Sequence, residues 1–379
     1  MLVERFFAWA QSVCVEDRAE AVLDLARAYD DAGKDAAERS LYEQLFTRLL
    51  DETDPKVRGA LADGLARCAH TPRTLVWSLA QDIPSVSKPV LENSPVLDGP
   101  TLIDIVKSRG GASAAAIAAR SNLDADVARA IALESGAASV IALLENPAVT
   151  LGPKLLQIIA DRLGDDATIR AILLADDDLA PTTRQTLMAG LSKALNTFVV
   201  TSGWLENDLS SDAVCDAKNR ASIAIANCIH GENMPEFAKH MLQTDQLTPA
   251  LLIRAICSGN AAFFETALSQ LSGMSLKRVQ SIVDEGRPTA FLSLYKRSGL
   301  PNSARSVFAA AISVWQEIGC AQTSDAGRAM LGAHAVEAIL DRAEQDDGTD
   351  PVLLSLLRRL VVESARESAH EAQPLLTAA

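Results

Sequence analysis

Two cysteines and two histidines form the densest group of residues that could bind a metal: Cys215, Cys228, His230 and His240. A structural zinc site needs four such ligands that converge, usually from pairs at short spacing. Cys228 and His230 are two residues apart, which places them on different faces of a helix, and a break at 231–235 separates them from His240. We therefore expect a buried cysteine and solvent-facing histidines, and neither a metal site nor a cofactor.

Catalytic and phosphate-binding motifs are absent from the sequence. No Gly-x-Ser-x-Gly turn, His-Glu-x-x-His pair or cysteine among basic residues marks a nucleophile, and there is no Walker or Gly-x-Gly-x-x-Gly loop. Gly110-Gly111 precedes an alanine-rich helix whose N-terminus could bind an anion, but a turn between helices is the commoner use of such a pair. With five histidines a catalytic triad is not dismissed, so an enzyme on a helical scaffold stays an alternative.

Two acidic clusters lie at 165–166 and 176–178. A calcium loop needs oxygen ligands on alternate residues, a glycine at the turn and a distal glutamate, and neither cluster has this pattern. Acidic residues beside a helix N-terminus complement the helix dipole. We expect both clusters to cap helices.

Residues 277–305 carry six basic side chains against Asp284 and Glu285, a local charge of +4. One interpretation is the solvated face of successive helices, with aliphatic stems lying on the core. The other is a docking patch for an acidic or phosphorylated protein. Nucleic acid is the least favoured partner, because few aromatic residues are interleaved. The candidate docking residues are Lys277, Arg278, Arg287, Lys296 and Arg297.

The net charge of −14 is spread evenly, because residues 1–200 hold 20 Lys and Arg against 28 Asp and Glu, and residues 201–379 hold 15 against 21. Neither half has the positive field that a phosphate backbone requires, which argues against nucleic acid and anionic membranes as partners. The longest uncharged stretch, 194–205, has 12 residues, fewer than a membrane span needs. Six scattered cysteines without a CxxC pair and the lack of a signal peptide suggest a cytoplasmic protein.

The elements that would position these residues are helices. Leu41, Leu45 and Leu49 recur at helical spacing, similar stripes follow along the chain, and no run alternates with period two. An Asp, Asn or Thr followed by proline, the signature of a helix start, occurs five times: at Asp54-Pro55, Thr71-Pro72, Asn146-Pro147, Thr248-Pro249 and Asp350-Pro351. The sequence predicts an all-α protein made of many short helices.

Each of four predicted helix starts is followed within a few residues by a valine: Val57, Val86, Val127 and Val149. The phrase Asp-x-x-Val-Arg at 54–58 resembles the second helix of a HEAT repeat, although the valine spacings of 29, 41 and 22 residues are irregular. We predict an α-α superhelix, an irregular HEAT-like stack of helical hairpins, over 1–200. A second all-helical part follows over 201–379, with the break at 196–212, where polar residues crowd together.

Several phrases between about 45 and 300 resemble the bacterial DUF2336 family. They are Ser-Pro-Val-Leu at 94–97 with Leu-Ile-Asp at 102–104, Ala-Ile-Ala-Ala-Arg at 116–120, and Leu-Thr-Pro at 247–249 followed by Phe-Phe-Glu-Thr-Ala-Leu at 263–268 and Phe-Leu-Ser-Leu-Tyr-Lys at 291–296. The resemblance implies a proteobacterial, cytoplasmic helical protein. It carries over no catalytic residue, because the family has no assigned function.

Stacked helix pairs present a long concave face that suits protein recognition. The sequence therefore favours a protein-binding scaffold or regulatory module without catalysis, whose partner is unknown. Two alternatives stay open: an enzyme on the helical scaffold, and a sensor that binds a small ligand between the two halves.

Overall fold

The computed structural model describes residues 6, 8–10, 12–31, 36–202, 207–229, 233–285, 287–319, 325–345 and 350–376. Every regular element among these residues is a helix and none is a strand, which confirms the all-α prediction. The composition explains this result, since alanine and leucine dominate the apolar residues and are the strongest helix formers. No helix in these ranges has the length and apolar character needed to cross a membrane.

Three of the five predicted helix starts are confirmed by hydrogen bonds. Asp54 and Asp350 each accept a hydrogen bond from the second helical amide at 2.9 Å, and Thr248 accepts one from the third at 3.3 Å. Proline occupies the first position of each of these helices, where its missing amide leaves no donor unsatisfied.

At Thr71-Pro72 a helix does begin, at Arg73, but Thr71 is not its cap, and the start predicted at Asn146-Pro147 is wrong. The helix after Thr71 has Pro72 itself as its cap, and the Thr71 hydroxyl is buried without a hydrogen bond to any described residue. After Asn146 no helix begins until Pro153. The Asn146 side chain instead bonds to the end of an earlier helix, so its polar group stabilises packing between helices and not a helix start.

The helices form two compact units, Met1–Leu179 and Ala180–Ala379. The first unit contains α1 Val15–Asp31, α2 Ala36–Leu49, α3 Pro55–Leu65, α4 Arg73–Ala80, α5 Pro84–Asn93, α6 Gly99–Arg109, α7 Gly111–Ala118, α8 Ala125–Glu134, α9 Ala137–Leu144, α10 Pro153–Leu163 and α11 Ala167–Leu174.

Alternate helices of the first unit pack side by side. The odd-numbered helices form one layer, in which α1 contacts α3, α3 contacts α5, and the series continues to α11. On the other side α6 contacts α8 and α8 contacts α10. The unit is therefore a stack of helix pairs in two layers, while its assignment to the HEAT class stays a prediction.

Side chains at helix ends hold this stack together. Arg109, Arg120, Asn146 and Arg162 each donate hydrogen bonds to main-chain carbonyls at the C-terminal end of the helix two positions earlier. The last carbonyls of a helix have no partner within that helix. Here they accept hydrogen bonds from a side chain at the end of the next helix in the same layer. These bonds span 26 to 30 residues of sequence.

The repeat is more regular than the valine spacing suggested. Helices α3, α5, α7, α9 and α11 begin at residues 55, 84, 111, 137 and 167. Val57 and Val86 lie in this layer, but Val127 belongs to α8 in the other layer and Val149 lies in a loop. The valine spacing was irregular because it combined residues of both layers. The buried position near the start of each helix in this layer is not always a valine. Val140 and Ile169, both fully buried, continue the layer.

The second unit contains α12 Pro181–Thr201, α13 Asn207–Asn227, α14 Met234–Gln243, α15 Pro249–Cys257, α16 Ala261–Ser272, α17 Leu276–Glu285, α18 Pro288–Ser298, α19 Arg305–Gly319, α20 Asp325–Glu344 and α21 Pro351–Leu376. Most of the predicted break is helical, since 196–201 end α12 and 207–212 begin α13. Residues 203–206 of the break lie outside the described ranges. The division into domains 1–200 and 201–379 stays a prediction.

Helix α15 lies at the centre of the second unit. It contacts α13, α16, α19, α20 and α21, and every residue from Leu251 to Cys257 is buried. A helix that is apolar on all sides is expected in a core. The one charged residue in this run, Arg254, therefore requires a partner.

Candidate interaction surface

The five predicted docking residues lie on two consecutive helices of the second unit and are all exposed. Lys277 and Arg278 are in the first turn of α17, Arg287 directly precedes α18, and Lys296 and Arg297 are in its last turn. Helices α17 and α18 contact each other and α16. We call these five residues the basic surface.

The apolar positions of α17 and α18 turn the basic residues outward. Val279 and Ile282 of α17, and Phe291, Leu294 and Tyr295 of α18, are buried in the core of the unit. Because a helix places residues three and four apart on one face, the intervening lysines and arginines must point to solvent. Burial of the apolar face therefore determines where the charges lie.

Only part of the basic surface is neutralised by acidic side chains. Arg287 Nε lies 3.1 Å from Glu285 Oε2, an exposed pair of the kind that stabilises little. Among the residues that the structure describes, no ion pair involves Lys277, Arg278, Lys296 or Arg297. Four cationic groups are thus available to a partner.

The C-terminal end of α18 brings in a further basic residue. The hydroxyl of Tyr295 donates a hydrogen bond to the carbonyl of Pro301, across a turn at Gly299, whose φ of +70° is readily adopted only by glycine. Burial raises the pKa of Tyr295 to about 12, and the nearby charge of Arg305 opposes that rise. Arg305 is exposed and therefore adds positive charge beside the last turn of α18.

A buried carboxyl group lies behind α17. Glu265 of α16 is 9% exposed and accepts a hydrogen bond from Gln280 Nε2 at 3.2 Å. Burial raises the pKa of Glu265, the Gln280 hydrogen bond lowers it, and the charge of Asp284 raises it further. Nothing in the sequence marks Glu265 as buried, because a single glutamate among apolar residues also fits an exposed helix position.

No group of three or more His, Cys, Asp or Glu side chains able to hold a metal occurs in the described ranges. His230 of the candidate metal group lies outside those ranges, and His240 Nε2 lies 3.2 Å from the Thr186 hydroxyl. The expectation of a buried cysteine is wrong for Cys215 on α13 and for Cys228 directly after it, since both are exposed.

The remaining cysteines divide by burial. Cys68 and Cys257 are buried and Cys14 is exposed, while Cys320 lies outside the described residues. Burial raises the pKa of the Cys257 thiol to about 12. At neutral pH this thiol is protonated and a poor nucleophile.

The acidic clusters and the glycine pair form turns and caps. Asp166 Oδ1 accepts hydrogen bonds from the second and third amides of α11 at 2.9 and 3.1 Å, and Asp176 Oδ1 accepts one from the amide of Asp178 at 3.0 Å. Gly110 and Gly111 both have positive φ, of 53° and 46°, and connect α6 to α7. Capping is therefore confirmed for Asp166, but the expectation is wrong for the cluster 176–178, which closes a turn, while Ala180 precedes the first residue of α12 without a side-chain cap. The glycine pair forms the expected turn between helices.

Sequence reasoning missed a charged cluster at the centre of the second unit. Arg254 Nη2 lies 2.5 Å from Asp216 Oδ1 on α13, and Arg254 Nη1 lies 2.7 Å from Glu363 Oε2 on α21. Arg220 pairs with the same two carboxylates. Two cations and two anions therefore balance one another, and the buried Arg254 links three helices. The signal was the lone arginine in the apolar run 251–257.

A second buried polar group joins α12, α13 and the turn after α14. Gln185, which is fully buried, donates hydrogen bonds from Nε2 to Ser222 Oγ at 2.8 Å and to Gln246 Oε1 at 2.7 Å. Ser222 in turn donates to the carbonyl of Lys218. These bonds fix the first half of α12 against its neighbours.

Comparison with known proteins gives one match. The model of the family described as "Uncharacterised protein conserved in bacteria (DUF2336)" matches residues 86–347, more than half of the chain. The match includes most helices of the first unit's stack and the basic surface. No curated protein and no solved structure matches the chain. The chain belongs to the bacterial DUF2336 family.

Proposed function

We propose that this chain is a protein-binding module without chemistry of its own, and that its basic surface docks an acidic segment of a partner protein. The observation that carries the proposal is the exposure of Lys277, Arg278, Lys296 and Arg297 with no ion pair to the described acidic residues. A charge that no internal partner neutralises can pair with a group on another molecule.

The surrounding sequence supports an acidic partner. No Asp or Glu occurs from 286 to 316, in a chain whose net charge is −14. An acidic segment would be repelled over most of this protein and attracted here, so the charge distribution selects both the site and the orientation of the partner. A nucleic acid is less suitable, because its extended backbone would meet the negative remainder of the chain.

The two-layer stack of the first unit also fits a binding role. We interpret it as a HEAT-like repeat, a class in which stacked helix pairs present extended faces to partners. This part of the proposal rests on the architecture alone, and architecture is weaker evidence for function than a site. A cytoplasmic location is proposed with it, because five described thiols are all free.

Cross-linking in the source cell tests the proposal. A photoreactive amino acid replaces Ser293, an exposed residue of α18 one turn before Lys296 and Arg297. We expect a specific protein to be captured, and capture to fall on the order of tenfold in the variant Lys296→Glu with Arg297→Glu, because like charges in an interface cost several kcal/mol.

The control applies the same change of charge to the other unit, as Lys107→Glu with Lys154→Glu, two residues that are also exposed. Capture should survive in this variant. An identical set of captured proteins in the wild type and in the Lys296→Glu, Arg297→Glu variant would show that the basic surface is only a solvated helix face.

A further inference from the structure

Helix α17 carries its charges in the reverse of the order that stabilises a helix. Lys277 and Arg278 lie in its first turn, whereas Asp284 and Glu285 lie in its last turn. The helix dipole favours acidic groups near the N-terminus and basic groups near the C-terminus, so all four side chains oppose it. The stability of α17 therefore does not account for this order of charges, which places two carboxylates directly before Arg287 of the basic surface.

Two contacts hold Glu285 beside the basic surface. Ser281 Oγ, one turn earlier on α17, donates a hydrogen bond to Glu285 Oε1 at 2.9 Å. Arg287 Nε lies 3.1 Å from Glu285 Oε2. Each carboxylate oxygen therefore has its own partner, and Glu285 lies at the edge of the Arg287 guanidinium, where a carboxylate of another molecule would bind.

We propose that Glu285 is an internal competitor of the docked acidic segment and occupies Arg287 in place of a carboxylate from the partner. Since it rests on the proposed function, this competition acts only where an acidic segment docks on the other four residues of the basic surface. The side chains of Arg287 and Glu285 are 72% and 48% exposed, so a partner can reach both. A carboxylate that approached Arg287 would meet the like charge of Glu285, and like charges brought together in an interface oppose binding.

The exposure of the ion pair between Arg287 and Glu285 limits how strongly Glu285 competes. An exposed pair stabilises little, so a partner with several acidic groups can displace Glu285, and the competition weakens docking without closing the site. Only a segment that reaches Arg287 meets this competition. Arg287 lies nine residues before Lys296, about 14 Å along α18, and a segment of about eight extended residues, about 26 Å long, spans both.

A synthetic peptide of about eight glutamate residues with a fluorescent label has this reach and serves as the acidic segment. Its affinity for the full chain is measured by fluorescence anisotropy at about 0.1 M NaCl, since more salt would screen the charges. Glu285→Gln removes the competitor and frees Arg287, while its amide oxygen can still accept the Ser281 hydrogen bond. We expect the dissociation constant of this variant to fall by about two- to fivefold, the effect of one exposed charge pair.

Asp284→Asn is the matched control, because it removes the same charge from the adjacent exposed residue and leaves the pair between Glu285 and Arg287 intact. It should tighten binding less than Glu285→Gln does. In an Arg287→Gln background there is no guanidinium to free, and the two changes should then have equal effects. This cycle separates competition for Arg287 from the general loss of one negative charge. Circular dichroism checks that every variant stays helical.

Failure of the docking and failure of the competition give different results. If the peptide binds the wild type no better than the Lys296→Glu, Arg297→Glu variant, the proposed docking is wrong and the competition with it. If those two residues are needed but Glu285→Gln and Asp284→Asn tighten binding equally in the wild-type background, docking stands and Glu285 is not a competitor. The competition is equally refuted if the gain from Glu285→Gln is the same with and without Arg287→Gln.

Discussion

The guanidinium of Arg254 joins α15 to α21, because its Nη1 atom lies 2.7 Å from Glu363 Oε2 across 109 residues of sequence. The second terminal nitrogen bonds to Asp216, so one buried side chain holds three helices. Removing one partner from a buried ion pair leaves uncompensated charge, which typically costs more than the pair contributes.

We expect Arg254→Met to lower the free energy of unfolding by roughly 3–5 kcal/mol, because Asp216 and Glu363 would then share Arg220 alone. Urea denaturation measures this loss. The triple variant Arg254→Met, Asp216→Asn, Glu363→Gln should recover part of it, since no unbalanced carboxylate remains near α15. If the losses of the three single changes simply add in the triple variant, the cluster does not act as a unit.

Glu265 should make the protein less stable as the pH rises. Burial holds its pKa above the ordinary value of 4.5, so the folded state binds the proton more tightly than the unfolded state. The resulting stabilisation is complete below about pH 4.5 and is lost as the pH rises through the folded pKa. Glu265→Gln removes this titration and can still accept the Gln280 hydrogen bond. We expect a higher urea midpoint than the wild type at pH 8 and no gain at pH 4.

The pKa of Asp98 is lowered, so its effect on stability depends on pH in the opposite direction to that of Glu265. The hydrogen bond from Thr101 and the adjacent Arg73 guanidinium lower the pKa of Asp98 to about 2. Its carboxylate therefore stabilises the fold above the ordinary pKa of 3.8, and this contribution is lost as the pH falls through about 2. Asp98→Asn should lower the urea midpoint at pH 8, where Glu265→Gln raises it. A shift of the same sign in both variants would contradict these assignments.

The sequence predicted the helices better than their packing. The stripe of Leu41, Leu45 and Leu49 correctly indicated α2, and Leu45 and Leu49 are buried, but Leu41 is 46% exposed. Periodicity identifies the face of a helix that packs. It does not show where along the helix the neighbouring helices stop, because that depends on residues distant in the sequence.

The same limit applies to the candidate sites. Exposure of Lys296 and Arg297 followed from the buried positions around them and could be predicted locally. The partners of Arg254 could not, since Asp216 and Glu363 lie 38 and 109 residues away and many other carboxylates were equally available. Asn146 was misassigned for a related reason: its local context is that of a cap, and only the stacked neighbour shows which carbonyls it bonds.

Asn146 should be sensitive to the loss of its amide. Its Nδ2 atom lies 2.7 Å from the carbonyl oxygen of Ala118 and 2.8 Å from that of Arg120, and its Oδ1 atom accepts from the amide of Ala148. Asn146→Ala should cost about 1–3 kcal/mol, because two carbonyls in a buried site lose their donor. Asn146→Asp should cost more, since it directs a negative charge at both carbonyls. If the bond to Ala148 dominated, Asn146→Asp would resemble the wild type in urea denaturation.

Two glycines of α3 should respond to alanine in opposite directions. A Cβ at Gly64 would overlap the Cβ of Ala26, a buried residue of α1, and approach the carbonyl oxygen of Leu23. Gly64→Ala therefore forces α1 and α3 apart, and overpacking of this kind costs about 1–3 kcal/mol. Gly59 has no atom within 4 Å of the equivalent position. There alanine only restricts the unfolded chain and favours the helix, which should stabilise the protein by about 0.5–1 kcal/mol. Thermal and urea unfolding of the two variants measure the difference. Equal effects would mean that α1 does not pack against α3 at Gly64.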